Sequence, residues 1–362
     1  MYRKAIILIV ALTCLLSGSC LAQGTFFEYS DGCVSFAADV EGGNYSQAPV
    51  LRAKTVFWDP DWLADVLLDG YEYREVTDEG YTPKSTYLGE KVHLRIVGQS
   101  AFRLTTDVSD KLSNVVNVGL EPYCAANMPA GDAGFMSVAD VEKASVELMK
   151  TLGLDCQFEG IYRVTRTEYN RVYNRLIAFN NELGEGNGGW GALEIPDYCE
   201  WPDEDIAYAV FLRQQYDGIP AFRDSYAHKR SGIALHGTDI SLAYDHDGII
   251  RVVVRYPFSV IEAGSPQKLI SYVKAAQIFA EDRNMILGDY AQTYMISRIS
   301  LQYVPVSRKD SDDDKAGVVF TLQPAWVIES ISPTVQESGL PADYIPEYFL
   351  VDAIEGYVMG SW

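Results

Sequence analysis

The sequence predicts an α+β protein: two related units, each an antiparallel sheet with a helix packed on one face, preceded by a mostly β N-terminal region. Three observations predict it. Apolar β-like runs are joined by an acidic residue and glycine at Asp217-Gly218, Asp247-Gly248 and Glu355-Gly356, the strongest short-range hairpin signal. Stretches with helical spacing open near residues 137, 165 and 265. The order helix, strand, strand, hairpin follows residue 137 and recurs after 265, as a repeated unit would.

The N-terminus carries Arg3 and Lys4 before an apolar core from Ala5 to Leu16, the pattern of an export signal over residues 1–22. Leu16-Ser17-Gly18-Ser19-Cys20 is a loose lipobox, which makes Cys20 the expected lipid attachment residue. The expected location is then the outer face of the cell membrane, held by the anchor alone. Cleavage after Ala22 by ordinary signal peptidase is the alternative and implies secretion. No other apolar run is long enough to span a bilayer.

Residues 23–50 are polar and turn-rich and read as a tether with one short strand at Val34 to Ala37. The region 51–135 reads as β-rich. Lys54 to Trp58 begins it, and Asp59 or Asp61 is placed to cap a short helix through Leu68. Alternation such as Val92-His93-Leu94-Arg95-Ile96 marks strands with one buried and one wet face. Val115 to Val118 reads as a further strand.

The first α+β unit is placed at 136–235. Ser137 caps a helix with Val141, Ser145, Leu148 and Met149 on one face, ended by Gly153. A strand follows from Cys156, then a second helix from Thr165 to Gly184, then the hairpin through Asp217-Gly218. The glycine run 184–189 spells the dinucleotide pattern, but a helix precedes it and a proline-bearing loop follows. That pattern needs a strand before and a helix after, so it is read as a linker.

The second unit is placed at 236–362. Ser265 with Pro266 at the first helical position is the expected start of its helix. Tyr294 to Val304 and Val318 to Ile328 are long strands, the latter broken at Pro324. The chain closes in the hairpin Phe349 to Met359, with Phe349, Val351 and Ala353 on one face.

This C-terminal unit, with its proline-bearing strand, Trp326 and the hairpin Val351-Asp352-Ala353-Ile354-Glu355-Gly356-Tyr357-Val358, resembles the closing pattern of PepSY-like domains and of the extracytoplasmic regulators of the Yyc sensor-kinase system. With Tyr216-Asp217-Gly218-Ile219-Pro220 included, the chain from about residue 137 is similar to a family of clostridial envelope lipoproteins. Asp352 stands where the pattern usually has asparagine. The resemblance implies an envelope-attached, non-enzymatic protein and carries over no catalytic residue.

Composition narrows the partners. The net charge of −21 becomes −23 once Arg3 and Lys4 are removed with the signal. So acidic a chain repels phosphate backbones and anionic surfaces, which excludes nucleic acid as an expected partner. Cys33, Cys124, Cys156 and Cys199 allow three pairings or free thiols, and no two are spaced as C-x-x-C.

Candidate chemistry is sparse. His228, His236 and His246 lie close in sequence, with Asp245 and Asp247 beside the last. Their spacing fits no metal-ligand pattern, and Asp245 to Gly248 is accounted for as a hairpin turn. Asp310, Asp312 and Asp314 alternate as the first half of a calcium loop does but lack the glycine and the terminal acid. There is no G-x-S-x-G elbow and no H-E-x-x-H helix. The expectation is therefore no catalytic residue, no cofactor and no metal. Trp58, Trp62, Trp190 and Trp201 lie in or beside loops and are the candidate ligand-stacking residues. The expected function is a non-enzymatic extracytoplasmic binding or regulatory lipoprotein engaging another envelope protein. The alternative is a carbohydrate- or cell-wall-binding protein using those loop aromatics, with an uncharacterised hydrolase third.

Overall fold

The computed structural model describes residues 25–77, 84–98, 100–116, 128–186, 197–229, 234–287, 294–309, 318–330 and 347–361. The chain opens with strands β1 (Thr25–Asp31), β2 (Val34–Glu41), β3 (Gln47–Ala48) and β4 (Leu51–Thr55), then helix α1 (Pro60–Leu67). Next come β5 (Tyr73–Thr77), β6 (Lys84–Gly89), β7 (Val92–Val97), β8 (Ala101–Thr106), α2 (Asp107–Val116) and α3 (Val138–Thr151). The middle holds β9 (Cys156–Thr165), α4 (Arg166–Gly186), β10 (Asp205–Tyr216), β11 (Ile219–Pro220), β12 (Ser225–His228) and β13 (Ala234–His236). The hairpin β14 (Asp239–Asp245) and β15 (Gly248–Arg255) follows, then β16 (Phe258–Ala263), β17 (Gln267–Lys268) and α5 (Tyr272–Leu287). Last are β18 (Tyr294–Lys309), β19 (Val319–Ser330), β20 (Glu347–Asp352) and β21 (Val358–Ser361).

The fold is α+β, built on two large sheets. The first runs β1-β2-β18-β19-β20-β21-β12-β13, with β4 beside β19 and β16 beside β4. Helix α5 lies on one face, where Ala276, Phe279 and Ala280 meet Phe36, Trp326 and Phe349. The second sheet runs β5-β6-β7-β8-β15-β14-β10, with β9 on the far side of β10. Helices cover both of its faces: α1 and α3 supply Leu63, Val141 and Met149 to one core, α2 and α4 supply Leu112, Tyr169 and Val172 to the other. Strand β10 shows why. Tyr208, Val210 and Leu212 face the first core while Ala207, Ala209 and Phe211 face the second, so its apolar run is continuous, as a strand buried on both faces requires.

The two sheets do not follow the sequence boundaries. Residues 23–50 are not a tether: β1 and β2 form a hairpin whose second strand runs parallel to β18, from Tyr294↔Val34 to Ser300↔Glu41. Val34, Phe36 and Ala38 alternate into the core under α5. The hairpin β14–β15, placed by sequence in the second unit, completes the sheet begun by β5–β8. The division at 135 and 235 therefore cuts through both sheets. Each unit was also expected to carry its helix on a single face, whereas the second sheet is covered on both.

Three local expectations are corrected. Val115 and Val116 end helix α2 rather than open a strand. The third long helix begins at Tyr272, not Pro266; β17 occupies Gln267–Lys268, and Ser271 caps the helix by accepting from the Lys274 amide at 3.2 Å. Pro324 does not break β19. It sits where β19 changes partners, from β4 along Val319–Leu322 to β20 along Ala325–Ser330. A proline cannot donate to a ladder, and at that switch no ladder bond is lost.

A buried ionic cluster fastens the link between β11 and β12 to the second sheet. Glu159 on β9 pairs with Arg213 on β10 and, through Oε2 at 2.6 Å, with Arg223, which follows β11; Arg223 also binds Asp239 at 3.1 Å. Burial alone would raise Glu159, but Arg213 and Arg223 outweigh it and hold the carboxyl down at about 2. Asp224, beside them, is pushed up to about 6 by burial, against the pull of Arg223 and Arg213 and with Asp239 and Glu159 adding to the rise. Because its folded pKa lies above the ordinary 3.8, the folded state binds a proton the unfolded chain does not, and this contribution to stability grows as pH falls through 6. Asp224→Asn is expected to stabilise the protein by about 1–2 kcal/mol near neutral pH. Denaturation at neutral and mildly acid pH checks it: the gain of the natural protein between the two should vanish in the variant.

Candidate functional site

Helix α1 organises the site. Asp59 caps it by accepting from the Trp62 amide at 3.0 Å, Pro60 occupies its first turn, and Leu63 and Ala64 point into the core. Trp62 and Val66 are four residues apart, as are Leu63 and Leu67, so each pair shares a stripe of the helix surface. Beneath the outer stripe lies an apolar cavity of about 220 Å³.

Its floor is the second sheet. Leu104 on β8 stands directly opposite Val252 on β15, so both side chains rise from the same face; Val92 and Ile249 complete the floor. The roof is Val66 and Leu67 from α1 and Leu148 from α3. These three are only half-buried, because α1 and α3 stand apart over the sheet and leave a slot between them. Tyr71, 50% exposed, stands at the mouth. Among the described residues, no ionisable acid, base or thiol lines the cavity apart from this phenol. Apolar walls hold apolar groups and offer water few partners.

Beside the mouth is an aromatic ledge. Trp62 is 41% exposed and stacks on Trp58 with ring centroids 6.2 Å apart and planes 5° from parallel. Trp58 meets Phe102 edge-on at 5.3 Å. Asp61 accepts from the Tyr87 hydroxyl at 3.0 Å, and Tyr87 packs against Tyr73 at 5.5 Å. Burial first, then Asp61, raises the Tyr87 hydroxyl well above the ordinary range, so it stays a donor.

The structure separates the three candidate tryptophans that it describes. Trp62 presents a ring to solvent. Trp58 does not: at 5% exposure it is core, the inner member of the stack. Trp201 is half-buried against Tyr169, with centroids 5.7 Å apart, on the other face of the second sheet. Trp190 and Cys20 lie outside the described residues. The cavity residues Val66, Leu67, Tyr71 and Leu148 were missed as site residues because, in sequence, aliphatic stripes at helical spacing look the same whether they close a core or roof a slot.

The histidines are dispersed. His236 stacks on Tyr256 at 4.8 Å and bonds Ser225 Oγ through Nδ1 at 2.7 Å; His228 is buried on β12. Asp245, His246 and Asp247 bring their ligand atoms within 4.8 Å of one another. Asp245 Oδ1 is already engaged by the Asp247 amide at 2.8 Å, which is the turn of the β14–β15 hairpin, and His246 and Asp247 are exposed. The loop from Asp310 to Asp314 lies outside the described residues. Cys33, Cys156 and Cys199 are not bridged, and Cys124 lies outside the described residues. Burial, then Asp155, pushes the Cys156 thiol up to about 12, which disfavours the reactive thiolate.

No family model matches the chain, and no curated protein does. Among solved structures it is similar to an uncharacterized protein from Eubacterium rectale, with a TM-score of 0.58 at 13% identity, covering 94% of this chain and 90% of that one. At that identity the likeness is one of fold. It spans both sheets, so their joining is a shared architecture.

Proposed function

We propose that the protein is a non-catalytic binding or regulatory protein of the cell envelope, lipid-anchored through Cys20, which engages another extracytoplasmic protein at the cavity beside α1. The observation that carries this reading is the cavity's lining: aliphatic walls from two helices and a sheet, with one phenol at the mouth. Sites of chemistry gather convergent polar groups with shifted pKa values. The strongly shifted carboxylates lie instead in the closed cluster around Glu159. Kinship with PepSY-like envelope proteins agrees with this reading and remains part of the proposal.

A photo-crosslinking residue placed at Tyr71 in living cells tests it. The expected result is an adduct with one envelope protein, lost when Leu67→Asp is added and absent when the crosslinker is moved to exposed Glu262. Equal adducts at both positions would refute the site. A second reading, glycan binding, is favoured by the exposed Trp62 ring stacked on Trp58, since such a face suits a sugar ring. It would take over if Trp62→Ala abolished cell-wall retention while Leu67→Asp left it intact.

A further inference from the structure

Taking the cavity as the binding site proposed above, we infer that its occupant is a basic peptide segment of the partner that inserts one apolar side chain. Size sets the first half. An engineered apolar cavity of about 150 Å³ accepts a benzene ring, and this one, at about 220 Å³, is larger. A phenylalanine or leucine side chain is within that volume. The floor residues Val92, Leu104 and Val252 are fully buried, so the chain cannot thread through; the occupant enters and stops, as a side chain does.

Charge sets the second half. Within two residues of the lining, the exposed acids are Asp65, Asp69, Glu72, Glu90, Glu147 and Asp247, against exposed Lys91 and Lys150. Two more cations occur in that range, but they belong to the opposite face: Arg103 reaches Asp110 at 3.5 Å and Arg251 reaches Ser113 at 2.6 Å, both on α2. The exposed side chains flanking the lining therefore carry a surplus of negative charge, and such a field reaches over about a Debye length. It repels a free fatty acid or an acidic peptide and draws a basic one.

The test uses the intact mature protein and short fluorescent peptides read by anisotropy. One carries a phenylalanine flanked by lysines; the second has glutamates in place of the lysines; the third has alanine in place of the phenylalanine. The lysine–phenylalanine peptide is expected to bind about tenfold or more tighter than the glutamate one, with the gap closing at high salt, and the alanine peptide is expected to lose most of the affinity. Leu148→Trp, which fills the slot from a half-buried position, should remove binding while the melting temperature holds. Asp69→Asn with Glu72→Gln should weaken the lysine peptide and leave the cavity untouched.

Equal or tighter binding of the glutamate peptide would overturn the charge inference while leaving the cavity as a binding site. Equal binding of the alanine peptide would show surface attraction alone and overturn the anchoring step. Absence of binding by all three, with Leu148→Trp indistinguishable, would overturn the binding site itself.

Discussion

Deleting the chain from Tyr348 onward is expected to unfold the first sheet rather than leave a frayed end. Strands β20 and β21 are interior: β20 pairs with β19 and β21, and β21 pairs on with β12. Phe349, Val351 and Ala353 fill the core under α5, while Leu350 and Met359 fill the opposite one. Phe349 alone packs on Phe279 at 4.8 Å and on Tyr294 at 5.4 Å. Each large buried side chain removed costs about 2–5 kcal/mol, and several together exceed the whole stability of an ordinary domain, about 5–15 kcal/mol. The truncated chain should lack a cooperative denaturation transition for this sheet; a midpoint and slope equal to full length would contradict the topology. Gly356→Val is the milder form. Gly356 has φ +70° and its added Cβ would come within 3.2 Å of Ile278 Cδ1, in a backbone region β-branched residues rarely adopt.

That hairpin is also where the sequence was most legible. Period-two reading places Phe349, Val351 and Ala353 on one face, as observed, and Leu350, Asp352 and Ile354 on the other; Leu350 does face the opposite core, but Ile354 packs with the first, because the turn that follows Asp352 ends the alternation. That reading calls for a strand end or a hydrogen-bond partner for Asp352, which has both: it is fully buried, ends β20, and accepts from the Ile354 and Glu355 amides and the Gln323 amide group. The hairpins at Asp217-Gly218 and Asp247-Gly248 were read from the same local chemistry. What was illegible is non-local. The parallel pairing of β2 with β18 joins residues some 260 positions apart, and nothing in either strand names its partner. Pro324 looked like a break because its tolerance depends on β19 exchanging β4 for β20. Polarity misled at residues 23–50: β1 is an edge strand that turns only Phe27 and Tyr29, both half-buried, toward the core, while β2 buries every second residue. The ledge was half visible, since loop tryptophans stand out and Trp62 is exposed, but the aliphatic slot beside it carries no sequence mark.

Glu159→Gln is expected to destabilise the protein by about 3–5 kcal/mol at neutral pH, because it leaves Arg213 and Arg223 buried without their shared carboxylate. Both guanidiniums are as buried as the glutamate itself. The pH dependence follows from the sign of the shift. Glu159 has a folded pKa of about 2 against an ordinary 4.5, so its contribution is fully present above 4.5 and is lost as pH falls toward 2. Chemical denaturation across that range should show the natural protein losing stability and the Gln variant losing less, the two curves converging at the acid end. A constant offset between them at all pH values would mean that Glu159 matters for shape and not for charge. Asp224 acts in the opposite direction above that window, so the natural protein should be most stable between the two, in the mildly acid range.

The claim that the slot beneath α1 is where this protein binds its partner is tested most directly by methyl NMR with the lysine–phenylalanine peptide. The predicted result is a set of saturable shifts confined to the methyls of Val66, Leu67, Val92, Leu104, Leu148, Ile249 and Val252. Shifts that fall instead on the core under α5, or that leave the methyls of these lining residues unmoved while the peptide is bound, would contradict it.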